Sequence, residues 1–166
     1  MKAIVVVDRE WNIGKNGKLL IHLPTDLKYY KKQTLNKVIV IGRKTLESFP
    51  NQKPLPNRTN IVLTANPNYQ NDSAIVCVGL EQLKKQLANF NDEDIWISGG
   101  AMLYNLFLDQ CEEIYVTKIN QVFDADRSFK NLDADPNFQL LSTSKTYYEN
   151  GVNFNFCIYK NKKINS

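Results

Sequence analysis

Short apolar runs recur along the first part of the chain, at residues 4–7, 38–41, 61–63, 75–78 and 95–97. They are mostly β-branched and bounded by turn residues, as fits strands buried on both faces of a largely parallel sheet. Between them, apolar positions return at helical spacing over residues 24–35, 43–49, 80–90 and 101–108. This alternation predicts an α/β fold with crossover connections. After Cys111 the pattern changes. Residues 114–119, 138–147 and 152–159 read as strands with no long helix between them, and Glu149-Asn150-Gly151 reads as the hairpin turn joining the last two. The expected architecture is a mixed, mainly parallel central sheet of about eight strands, with helices on both faces and an antiparallel C-terminal hairpin at one edge. No repeat, low-complexity tract or linker interrupts the pattern, so residues 1–166 are expected to form a single domain.

Composition narrows the class. A hydrophobic content of 43% is that of an ordinary globule, and 166 residues suffice to bury a core. The apolar run at residues 3–7 is too short for a signal segment and ends at Asp8, and nothing approaches the length of a membrane span. A cytoplasmic location is expected. Cys77, Cys111 and Cys157 are odd in number, far apart and set in apolar segments, which predicts buried free thiols rather than a disulfide frame or a zinc site. His22 is the one histidine, so sites that need two are excluded and no metal is expected. The net charge of +4 is mostly solvated lysine. Lys31-Lys32 and Lys162-Lys163 are too short for a nucleic-acid footprint, while a mild positive field favours small anionic ligands.

Candidate chemistry clusters at the junctions between elements. From Ile13 to Asp26 a glycine-punctuated loop runs into a helix start at Pro24, where the missing N–H costs nothing. Asp26 falls in the first turn, at the lip of a face carrying Leu27, Tyr30 and Thr34. That suits recognition of a polar heterocycle, although a carboxylate there also suits the helix dipole alone. Gly42-Arg43-Lys44-Thr45 follows a strand and offers cations and a hydroxyl at a helix start, a natural anion site or simply a basic surface turn. Ser98-Gly99-Gly100-Ala101 repeats the strand–glycine–helix pattern without a G-x-G-x-x-G fingerprint. Pro54-Leu55-Pro56-Asn57-Arg58 is a stiff loop ending in a guanidinium that could take a carboxylate bidentately, or could lie free on the surface.

In this order along the chain, these pieces resemble dihydrofolate reductase of the bacterial monomeric type. The resemblance spans essentially the whole length. It rests on Ile13-Gly14, Leu23-Pro24-x-Asp26-Leu27, Val40-Ile41-Gly42-Arg43-Lys44-Thr45-x-Glu47-Ser48, Pro54-Leu55-Pro56-x-Arg58-x-Asn60, Gly99-Gly100 and Tyr115-Val116-Thr117. It implies NADPH-dependent reduction of 7,8-dihydrofolate to tetrahydrofolate by a monomer without nucleic-acid or membrane partners. It implies that Asp26 binds the 2-amino group and N3 of the pterin with Thr117 in support, while water protonates N5 and a hydride passes from nicotinamide C4 to pterin C6. By the same resemblance Leu27, Tyr30, Phe49 and Leu55 clasp the pterin and aminobenzoyl rings, and Arg58 takes the glutamate α-carboxylate. Ile4, Val5 and Ser98 line the pterin pocket, the first and last through backbone carbonyls. Residues 14–23 form a lid, with Leu19 against the nicotinamide and Ile21 at the catalytic wall. Cofactor contacts are implied from Val6, Ile13, Gly14, Lys18, Leu19, Gly42, Arg43, Lys44, Thr45, Leu63, Thr64, Ala65, Ser98, Gly99, Gly100, Ala101, Met102, Leu103 and Tyr104, with Gly99 and Gly100 joined by a cis peptide.

The sequence departs from the family at particular places. The lid's usual Pro-Trp is Leu20-Ile21, and the Gly-Asp-Thr after Thr117 reads Ala125-Asp126-Arg127. Met102 stands where Arg or Gln often meets the 2′-phosphate, and Ala65 replaces a polar residue, leaving Arg43 and Thr64 as the matching contacts. Two rival readings share the pattern: a pyrimidine reductase of riboflavin synthesis and a non-catalytic ligand-binding relative. Asp26 and Arg58 argue against the first, and the intact set Asp26, Thr45, Gly99-Gly100 and Thr117 against the second.

Overall fold

The computed structural model describes residues 1–164. Its centre is one large sheet. Parallel strands β1 (Lys2–Val7), β4 (Val38–Gly42), β5 (Thr59–Thr64), β6 (Ile75–Val78), β7 (Ile95–Ile97) and β8 (Glu113–Ile119) lie in the order β8-β1-β7-β4-β5-β6. Among the described residues four α-helices accompany them: α1 (Pro24–Thr34), α2 (Arg43–Glu47), α3 (Leu80–Leu87) and α4 (Ala101–Phe107).

Side-chain alternation assigns the faces. Ala3, Val5, Val38, Val40, Ile61, Leu63, Ile95, Ile97, Ile114 and Val116 turn to one side, where Leu83 and Leu87 of α3 and Leu103 and Phe107 of α4 complete the main core. Ile4, Ile39 and Trp96 turn to the other, against Tyr29 and Tyr30 of α1. On that same face Ile41 and Val62 pack on Leu46 of α2. The mainly parallel sheet covered on both faces agrees with the expected fold class. The three cysteines are free and buried, as expected.

The C-terminal region differs from expectation. Residues 138–147 are not one strand. They divide into β10 (Phe138–Thr143) and β11 (Tyr147–Glu149), which pair successively with the same edge of β12 (Val152–Asn161). Ser144 causes the break. Its N–H donates to the Phe156 carbonyl at 2.8 Å, and its hydroxyl accepts the Phe156 N–H at 2.8 Å. Asn155 Nδ2 holds the Ser144 carbonyl at 3.0 Å. Local side-chain bonds thus replace ladder bonds. The hairpin turn at Asn150-Gly151 is present, with both residues at positive φ (51° and 79°) as a two-residue hairpin loop requires. β12 itself is internal, flanked antiparallel by β8 on its other side.

A second, three-stranded sheet was not expected. It comprises β2 (Asn12–Lys15), β3 (Lys18–Leu19) and β9 (Arg127–Ser128), in the order β3-β2-β9.

Candidate active site

The cleft opens where the parallel strands end. β4 and β7 are neighbours, so the loops that follow them meet: the Gly42 N–H donates to the Gly99 carbonyl at 2.9 Å, and the Ser98 N–H to the Val40 carbonyl at 3.0 Å. Gly99-Gly100 is a cis peptide, as the resemblance implied. Gly99 has φ +110°, a conformation open to glycine and strained for side-chain-bearing residues. Along these loops runs a cavity of about 860 Å³, within the range of small-molecule sites. It extends from β1 and the β2–β3 hairpin, past α2 and the start of α4, to the end of β5 and the first residues of α3. Every residue named above as a cofactor contact lines it, from Val6 to Tyr104. Arg43 is held by Glu47 in an i,i+4 ion pair at 2.7 Å, and Met102 is 62% exposed and leaves its part of the wall uncharged.

One wall of the cavity is the small sheet. A Cβ at Gly14 would lie 2.7 Å from the Lys18 carbonyl, so glycine permits the close approach of β2 and β3. Asp126 ties this hairpin to the loop after β8: its N–H donates to the Gly14 carbonyl at 3.0 Å and its carboxylate accepts the Asn16 N–H at 3.1 Å. Lys15 pairs with Asp124 beside it. The root of the hairpin is fixed by buried Asp8, whose carboxylate accepts the N–H groups of Glu10, Asn12 and Phe123. Those bonds outweigh the effect of its burial and hold its carboxyl below the usual range.

Leu19 is 63% exposed at the cavity's edge. Beside it lies a second, small pocket that shares Val6, Ile13 and Leu19 with the cavity and is also lined by Ile21, Leu23, Asp26 and Leu27. Asp26 is part of its wall and accepts a hydrogen bond from Thr117 Oγ1 at 2.6 Å. Burial, assisted by the charge of Glu149, pushes the Asp26 carboxyl up from 3.8 to about 6 against the pull of Thr117. Glu149 is oriented by Thr25, whose N–H and hydroxyl donate to it at 3.0 and 2.7 Å. Ile21 packs with Leu23, Ile119, Phe154 and Phe156 and brings no polar atom to this wall.

Farther along α1 the wall continues through Tyr30, with Ile4 and Leu55 in one apolar cluster. Burial drives the Tyr30 phenol up to about 12, so it stays neutral. Arg58 closes the row, donating to the Pro56 carbonyl at 3.1 Å and to Thr34 Oγ1 at 3.3 Å. Tyr104, from α4, donates to the Ile4 carbonyl at 2.6 Å. Phe49 stands apart from the Tyr30 cluster, packed on Ile41, Leu46 and Val62.

A family model described as dihydrofolate reductase matches residues 1–161. The chain belongs to the dihydrofolate reductase family. Among its relatives, a dihydrofolate reductase of Bacillus subtilis is 35% identical over 96% of this chain and 93% of its own length. A putative dihydrofolate reductase of Caenorhabditis elegans is 37% identical over 96% of both chains. The solved structure of Enterococcus faecalis dihydrofolate reductase, complexed with NADP(H) and RAB-propyl, superposes with a TM-score of 0.83 at 31% identity, covering 96% of this chain and 95% of that one.

Within this dihydrofolate reductase cleft, sequence reasoning missed Ser48, Asn66, Gly79, Leu80, Leu106 and Arg127 as cavity-lining residues, while Lys15 and Gly17 fall in the lid expected over residues 14–23. Gly79 and Leu80 repeat the strand–glycine–helix junction seen at Gly42 and Gly100, a signal that was available. Arg127 carries no local signal. It reaches the cavity only because β9 pairs with β2.

Proposed function

We propose that Asp26, Thr117 and Arg58 orient the substrate in the NADPH-dependent reduction of 7,8-dihydrofolate to tetrahydrofolate, the activity of the family to which the chain belongs. The observation that carries the assignment is the Asp26–Thr117 pair, a half-buried carboxylate lining a small pocket that shares Val6, Ile13 and Leu19 with the large cavity. With Thr117 donating to one oxygen, the other is free to accept from the 2-amino group and N3 of a pterin. Arg58, tied on Nε and Nη1, keeps donors for the glutamate carboxylate.

The cavity fits the cofactor. Gly42, Gly99 and Gly100 leave backbone open for close approach, Thr45 offers a hydroxyl, and Arg43, Lys44 and Lys18 offer positive charge. When bound, NADPH supplies the hydride that reduces pterin C6. The chain's part is to fix the two reacting rings at contact distance, Asp26 holding one edge of the pterin while Leu19 and the β2–β3 hairpin exclude water. The 2′-phosphate falls to Arg43 and Thr64, since Met102 contributes no charge.

Residues 1–166 act as one domain and as a monomer in this reading, because one copy contributes every wall of the cleft. A cytoplasmic site of action agrees with it; among the described residues no helix is long and apolar enough to cross a membrane. The test is loss of the reduced nicotinamide's absorbance on mixing protein, NADPH and dihydrofolate. If Asp26→Asn oxidises NADPH at near the native rate at neutral pH, the residue assignment is wrong.

A further inference from the structure

Helix α1 starts without a cap of its own. Leu23 precedes it with no side-chain acceptor and Pro24 has no N–H, so the first N–H inside the helix is that of Thr25. Its partner comes from 124 positions away. Glu149, at the end of β11, accepts the Thr25 N–H at 3.0 Å on one carboxylate oxygen and the Thr25 hydroxyl at 2.7 Å on the other. The next residue ties the same turn to the chain entering α1: Asn150 Nδ2 donates to the His22 carbonyl at 2.6 Å. Beside them Tyr29 of α1 stacks on Phe156 with ring centres 4.0 Å apart, and Tyr147 of β11 packs on the same ring. The C-terminal hairpin therefore grips α1 at its entry and again one turn farther on.

Asp26 follows Thr25, so this grip brings a second carboxylate to the helix end that already carries one. Glu149 takes the free N–H, and Asp26 turns to Thr117 of β8. The two bonds from Thr25, helped by the charges of Lys28 and His22, hold the Glu149 carboxyl below the usual range, so it is ionised wherever Asp26 titrates. Tyr29 of α1 and Tyr104 of α4 feel the charge of Asp26, but burial keeps both phenols neutral. Among the described residues Glu149 is the charged group that bears on Asp26, and it favours the protonated form.

We propose that Glu149 is a positioning residue for the reaction: it caps α1 from across the fold, fixing the turn that carries Asp26, and sets a negative charge beside that acid. This rests on the proposed function above, in which Asp26 binds the pterin. Cap and charge are separable, because a carboxamide has the shape of a carboxylate. Glu149→Gln keeps an oxygen for the Thr25 N–H and reverses the second bond, its amide donating to the Thr25 hydroxyl, but it has no charge. Glu149→Ala removes both cap and charge.

The experiment follows the carboxyl carbon of Asp26 by NMR across pH in ligand-free native protein and both variants, with Asp26→Asn to assign the signal, and measures kcat/KM for dihydrofolate over the same range. Both variants should lower the Asp26 midpoint by about half a pH unit, as removal of one like charge in a largely solvated setting does. Added salt should shrink that gap. At the best pH of each, Glu149→Gln should keep kcat/KM within about twofold of native, and Glu149→Ala should lose about fivefold, the worth of a helix cap. A midpoint unmoved or raised in Glu149→Gln, or equal kcat/KM in the two variants, overturns the proposal. Should Glu149→Ala not fold, Thr25→Val, which loses only the hydroxyl bond, reads the cap in its place: kcat/KM should fall with the Asp26 midpoint unmoved, and no fall overturns the proposal. Failure of the native protein to reduce dihydrofolate would instead overturn the proposed function, and with it any part of Glu149 in the reaction, whatever the midpoint does.

Discussion

On the cofactor side of the cleft, the cavity is walled by glycine-bearing loops, small residues and exposed cations at strand ends. On the substrate side, the wall is side chains held under α1, with Asp26 paired to a residue 91 positions away. The first side shapes a long anionic ligand with backbone and diffuse charge, and single side chains there carry little of the load. The second places a few groups in a dry setting, where each polar contact counts for more. Substitutions on the substrate side should therefore cost more than those on the cofactor side.

The largest effect is expected at Asp26. Asp26→Asn keeps an acceptor but loses the charge, and turnover at neutral pH should fall by about 10²–10⁴-fold, as loss of an acid–base group typically does. The same variant should move stability the other way. Because the folded carboxyl is raised from 3.8 to about 6, the ligand-free fold prefers it protonated; its stabilising contribution is full below about 3.8 and is lost as pH rises through about 6. Ligand-free Asp26→Asn should then be more stable than native protein at neutral pH, by about 2 kcal/mol after allowance for solvent screening. The gap should close on acidification. Chemical denaturation across pH decides this, and an unchanged midpoint at neutral pH would sink it.

Arg58→Ala comes next. The contact proposed for it with the substrate tail would be made equally in ground and transition states, so KM for dihydrofolate should rise about 10- to 100-fold with kcat nearly constant. Steady-state titration of dihydrofolate at saturating NADPH reads the split directly, and a pure kcat loss contradicts the role.

Arg43→Ala should act more weakly, since Arg43 is partly exposed and already paired with Glu47. We expect roughly a 10-fold loss of kcat/KM with NADPH and little with NADH, the size of one charge-assisted contact. Equal losses with both cofactors would make Arg43 a structural residue and erase the contrast between the two sides.

The smallest change is expected from Ile21→Trp. Ile21 leaves the Asp26 wall without a donor, and an indole N–H there could hold a water between the carboxylate and the pterin. With Leu20→Pro to set the backbone where needed, kcat/KM for dihydrofolate should rise about 2- to 5-fold, the worth of one net hydrogen bond. If single and double variants both lose activity while melting normally, the pocket is already fitted to isoleucine.

The same contrast governs what the sequence made legible. The parallel strands and four helices were visible because their apolar periods are strong. The ends of the helices shifted by one to three positions: residues 80–90 shorten to Leu80–Leu87. The cofactor wall was legible too, since glycine beside a strand end is a local signal. The small sheet was not. β3 and β9 are two residues each; β3 is a short hairpin partner of β2, and β9 joins the sheet from far along the chain, where Asp126 bonds Asn16 from 110 positions away. The break at Ser144 was equally hidden, for it depends on facing Asn155 and Phe156 across the sheet. The resemblance supplied Asp26, Thr117 and Arg58 as a set. Without it, Asp26 alone could not be told from a helix-end carboxylate, because its partner arrives through β8 packing beneath α1.

A ribosome making this chain delivers β8 first, then β10 and β11, and only afterwards β12, which must lie between them. Until β12 emerges, β8 is paired on the β1 side alone and its other edge stands open to wrong partners. The strand seated last is therefore β12, against the free edge of the β8 strand that carries Thr117. Nascent chains halted before residue 152 should have β8, and with it Thr117, supported on the β1 side alone, and dihydrofolate should protect against proteolysis only chains translated through β12.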